Sequence, residues 1–83
     1  MSPTRFKEIR ENMGLTQTDL SEIFGLSGRL PITHYETGFR RPSKLIAALM
    51  ELFNQLPEKK SAELRDLILN EMRTAKKPKR KLS

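Results

Sequence analysis

The chain has 83 residues, no cysteine, one histidine and a formal net charge of +6. That length suits one small domain, and without cysteine neither a disulfide nor a thiolate metal site can supplement its core. No apolar run approaches the ~18 residues of a membrane span, and the N-terminus lacks the charged-then-apolar layout of a signal peptide, so a cytoplasmic location is expected.

The charge is unevenly placed. Lys76, Lys77, Lys79, Arg80 and Lys81 fall within the last eight residues, and without them eleven bases face ten acids. The basic excess therefore belongs mostly to a tail. The body has one local basic cluster, Arg40, Arg41 and Lys44.

Ser2-Pro3 opens helix 1, with serine as a favoured N-cap and proline suited to the first helical position. Phe6, Ile9 and Met13 fall at helical spacing and Gly14 is a natural stop. Thr16 caps helix 2, and Asp19 three residues on makes a capping box with Asp in place of Glu. Leu20, Ile23 and Phe24 form its buried face, Gly25 ends it, and Leu26 enters the core at the turn. Helix 3 has two possible starts. Ser27 is its N-cap with Pro31 in the first turns, or the regular helix begins near Leu30 and Pro31 after an extended turn. In both, Ile32 and Tyr35 point inward and Gly38 ends the helix.

Phe39-Arg40-Arg41-Pro42 is a connecting loop and Ser43 caps helix 4, which Pro57 stops. Leu45, Ile46, Leu49, Met50, Leu52, Phe53 and Leu56 give helix 4 an apolar surface wider than one small core needs. Ser61 starts helix 5, and after about Thr74 periodicity is lost. The predicted fold is all-α, five helices and a tail. Residues 1–56 form the core, 57–75 the C-terminal helix and 76–83 a disordered basic segment. A helical domain this small often needs a second copy of itself. Leu64, Leu67, Ile68 and Met72 on helix 5 are the expected homodimer interface.

The stretch from Phe6 to Phe53 resembles the Cro/phage-repressor-like helix-turn-helix family, also called the XRE family. The matching residues are Ile9-Arg10, Leu15-Thr16-Gln17 with Leu20-Ser21, Gly25-Leu26-Ser27, Ile32-x-x-Tyr35-Glu36-x-Gly38 and Arg41-Pro42-Ser43. One departure is that four residues separate Ser27 from Ile32 where the family pattern usually has three, which shifts the register at the front of helix 3.

The resemblance implies a five-helix, lambda-repressor-like DNA-binding domain whose helix 3 enters the major groove. It implies an ion pair between Arg10 and Glu36, and places Arg29, Thr33 and His34 at base edges. Thr16, Gln17, Ser27, Gly28, Arg40, Arg41 and Lys44 fall at the phosphate backbone. The implied function is a sequence-specific transcriptional regulator, a homodimeric autorepressor on a pseudo-palindromic operator. Small stand-alone members of that family occur in phages and mobile elements, including anti-CRISPR-associated autorepressors.

Two other readings are carried. An antitoxin would bind a toxin partner while its helix-turn-helix represses the operon. An adaptor would keep the fold without reading DNA. Enzyme chemistry is not expected. The sequence has no Ser/His/Asp or Cys/His set, no phosphate-cradling glycine loop and no cluster with metal-ligand spacing, so no cofactor is expected. Acids beside bases, as in Glu8/Arg5 and Glu63/Arg65, read as solvated helix faces.

Overall fold

A computed structural model of the chain describes residues 1–76, and the side chains of 1–74. Five helices follow one another: α1 (Pro3–Asn12), α2 (Gln17–Ile23), α3 (Leu30–Thr37), α4 (Lys44–Gln55) and α5 (Glu58–Lys76). No strand occurs among the described residues.

Local chemistry sets most boundaries. The Ser2 hydroxyl accepts the Arg5 N–H at 3.0 Å, and the Ser43 hydroxyl accepts that of Ile46 at 3.2 Å. Thr16 and Asp19 exchange reciprocal bonds, each 3.0 Å, completing the capping box at α2. Each cap satisfies amides that a helix start leaves without an intrahelical partner.

The start of α3 resolves to the second of the two readings. Its regular turns begin at Leu30, with Pro31 inside the first turn and no side-chain cap. Residues 27–29 form the bend that precedes it. Gly38 closes the helix at φ +85°, a left-handed conformation that side chains other than glycine rarely adopt. An added Cβ there would also sit 3.3 Å from the Pro3 ring.

α5 begins earlier than expected. It starts at Glu58 rather than Ser61, because the Ser61 amide already bonds the Pro57 carbonyl at 2.9 Å. Its last described residue is Lys76, the first of the predicted tail. The rest of that segment lies outside the described residues.

Phe6, Ile9, Met13, Leu20, Ile23, Ile32, Met50 and Phe53 form the buried core, with one or more contributions from each of α1 to α4. Leu64, Ile68 and Leu69 of α5 pack against it. Phe6 meets Tyr35 with ring centroids 5.4 Å apart, joining α1 to α3. Phe24 stacks on Phe53 at 6.3 Å.

The expected dimer surface on α5 therefore needs correction. Leu64 and Ile68 serve the chain's own core, and Met72 lies over Gly25, where an added Cβ would be 2.9 Å from its sulfur. Of the four residues only Leu67 is exposed, at 63%. The other large exposed apolar side chains on these two helices are Leu45 and Leu52 of α4.

The ion pairs also differ from the near-neighbour reading. Arg5 turns to Glu51 of α4, at 2.9 Å, rather than to Glu8. This hydrogen bond holds the Glu51 carboxyl below its usual range. Arg65 is not solvated beside Glu63 but only 5% exposed. Its guanidinium reaches Glu58 at 2.8 Å, the Ser61 carbonyl at 3.2 Å and the Met13 carbonyl at 3.5 Å. Arg65 thus pins α5 to the end of α1, and 57–75 is built into the same core as the preceding helices.

Candidate nucleic-acid interface

α3 is held from below by apolar and polar anchors together. Ile32 is fully buried, and the Glu36 side chain is only 4% exposed. Arg10 makes a two-point contact with that carboxylate through Nε and Nη2, and its Nη1 donates to the Leu15 carbonyl at 2.8 Å. The carboxylate raises the Arg10 pKa by accepting these bonds, against the opposing effect of burial. A bidentate pair of this kind fixes angle as well as distance, so it locks α3 in orientation against α1.

The network extends to α2. Gln17 donates from Nε2 to Glu36 at 3.0 Å and accepts the Thr33 hydroxyl at Oε1, also 3.0 Å. Sequence reasoning placed Thr16 and Gln17 at the phosphate backbone. In the structure the Gln17 amide is engaged at both ends. The Thr16 amide N–H donates to the Asp19 carboxylate. Gln17 thus braces α2 against α3, and its Nε2 carries a second hydrogen beyond the one given to Glu36. Gln17 holds α2 and α3 as one unit, while Thr16 closes the start of α2.

The opposite side of α3 faces solvent. At 3.6 residues per turn, Leu30, His34 and Thr37 lie away from Ile32. Arg29, Leu30 and Thr37 are exposed, and Thr33 and His34 are half-buried. Thr33 spends its hydroxyl proton on Gln17, and His34 packs on Phe39 with centroids 4.7 Å apart. Arg29 is thus exposed at the front of the helix with no ion pair among the described residues, while Thr33 and His34 present part of their surface. Ser27 is exposed and Gly28 half-buried in the bend before it. Nothing lies within 4 Å of where a Gly28 Cβ would stand, so packing there does not demand glycine.

Sequence reasoning missed Leu30 and Phe39. Leu30 is 60% exposed and Phe39 71%. Leu30 opens a helix, where an apolar residue reads as core, and Phe39 falls in the connecting loop, so nothing in the local pattern marks either one as outward-facing. The Arg40 amide bonds the His34 carbonyl at 3.2 Å, which folds the loop back so that Phe39 covers His34. The Arg40 guanidinium stands 5.8 Å from the Phe39 centroid, within cation–π range.

Charge separates two sides of the molecule. A groove beside the end of α3 is bordered by Met1–Pro3, Tyr35, Gly38, Arg40, Arg41 and Lys44, with no carboxylate in its lining. The cleft between α2 and α5 is lined by Asp19, Glu22 and Asp66 as well as Arg65 and Arg73. The first suits a polyanion and the second does not. Among the described residues no group of three or more His, Cys, Asp or Glu could hold a metal ion, and no helix is long and apolar enough to cross a membrane. In comparisons with protein-family models, curated proteins and solved structures, the chain matches none.

Proposed function

We propose that this protein is a DNA-binding transcriptional regulator, with α2 and α3 as a helix-turn-helix and α3 as the element that enters the major groove. The observation that carries this reading is the charge and orientation of α3. Its one carboxylate, Glu36, is turned inward and neutralised by Arg10, while Arg29 marks its exposed front. The acid-free groove with Arg40, Arg41 and Lys44 adjoins its end. That arrangement separates base-edge contact from phosphate contact, as duplex recognition requires. Each of these three bases that neutralises a phosphate adds about one unit to the salt slope of binding.

The regulator acts as a homodimer in the cytoplasm, with two α3 helices on major-groove faces ~34 Å apart. The resemblance to phage repressors favours autorepression. Leu67, with Leu45 and Leu52 of α4, supplies the apolar surface for self-association. Selection of bound fragments from a random duplex library tests the reading. A pseudo-palindrome with half-sites one helical turn apart is expected. Absence of any enriched sequence, at low and moderate salt alike, would remove it.

A further inference from the structure

We infer that Leu30 and Phe39 form an apolar ridge that reads thymine methyl groups. The inference rests on the regulator reading above and specifies which base feature that surface detects. The outward side of α3 carries an exposed Leu30 beside the half-buried His34. Leu30 stands in its first turn, His34 lies one turn on, and Phe39 folds back over the His34 ring at 4.7 Å. Leu30 and Phe39 remain 60% and 71% exposed.

Charge selects what that ridge meets. Arg29 flanks one end and Arg40 the other, and no exposed carboxylate lies on α3. A polyanion is therefore drawn to a surface on which Leu30 and Phe39 offer hydrocarbon on either side of the half-buried His34. On the floor of the major groove the thymine C5-methyl is the one apolar group a base presents, and leucine and phenylalanine side chains are suited to contact it. Four helical residues at ~1.5 Å each separate Leu30 from His34 by about 6 Å along the axis. With the Phe39 ring centred 4.7 Å from that of His34, the ridge covers about two to three base pairs at ~3.4 Å each. Arg29 supplies hydrogen-bonded readout at the leading edge, and the ridge supplies methyl readout behind it.

The test replaces each thymine of the library-selected duplex, one at a time, by deoxyuridine, which deletes only the methyl group. Titrations use the full chain and its Leu30→Ala and Phe39→Ala variants. The parent protein should lose about fourfold in affinity at one or two positions per half-site, roughly the value of one buried methyl. Those positions should lie within about three base pairs of each other. Each variant should bind the thymine duplex more weakly and lose the thymine–uracil difference at its own position. Both side chains are exposed, so unchanged circular dichroism will show that the fold is intact.

A selected duplex whose affinity is indifferent to every uracil substitution overturns the inference and leaves the regulator reading standing. So does a methyl effect that survives both variants. Unchanged DNA affinity with altered sedimentation in the variants would reassign the ridge to a protein contact. Failure to select any duplex would overturn both.

Discussion

Glu36 is where a single residue governs the site. Its carboxylate joins three elements, accepting from Arg10 of α1 and Gln17 of α2 while belonging to α3. Truncation to alanine leaves the Arg10 guanidinium largely buried with only the Leu15 carbonyl as partner. Removing one member of a buried pair costs ~3 kcal/mol or more, because the remaining charge is uncompensated. We expect Glu36→Ala to lower unfolding free energy by about 3 kcal/mol in urea titration; a change below about 0.5 kcal/mol would mean that the network is not cooperative. The pairing of Arg10 with Glu36 could be anticipated from the family resemblance. The engagement of Gln17 and Thr33 could not, because it depends on how closely α2 and α3 approach. Arg65 shows the same gap. Its neighbour Glu63 suggested a solvated pair, whereas its partner is Glu58 and its environment the core.

At the level of elements, the punctuation of the chain was readable and the outward faces were not. Serine, threonine and proline at helix starts and glycine at helix ends act through bonds to residues three or four away, so their effects survive without tertiary information. α5 is the exception at its start, where the Pro57 carbonyl rather than a serine side chain sets the first turn. Which apolar residues face water is decided by neighbouring helices, and for this reason Leu30 and Phe39 were unassigned while Leu64 and Ile68 were placed at an interface. The end of α3 makes a sharp test of element geometry. Gly38 combines φ +85° with a 3.3 Å approach to Pro3, so Gly38→Ala is expected to destabilise by more than about 1 kcal/mol. Because the loop that follows aligns Phe39 and Arg40, the same variant should weaken DNA binding even where it remains folded. Thermal melting and duplex titration measured together check both effects, and a variant equal to the parent in each would contradict the role given to this turn.

For the whole molecule, the five helices share one core, and the surfaces left over divide by chemistry. A basic groove adjoins α3, a cleft of mixed charge separates α2 from α5, and exposed leucines remain on α4 and α5. The all-α, five-helix organisation followed from periodicity and caps, but the integration of α5 into the core did not, since spacing alone cannot tell a partner helix within the chain from one in a second copy. If Leu67 is part of the self-association surface, Leu67→Glu should produce monomers in sedimentation and weaken binding to a two-half-site duplex while preserving helicity. An unchanged dimer would move the interface to Leu45 and Leu52.

The face proposed to meet DNA can be tested directly by following the backbone amide resonances of the full chain as the library-selected duplex is added. Perturbations concentrated at residues 28–34 and 39–44, with α5 little affected beyond any dimer contact, are the predicted result. Shifts confined to α5 and the α2–α5 cleft, with the outward side of α3 unchanged, would contradict the account.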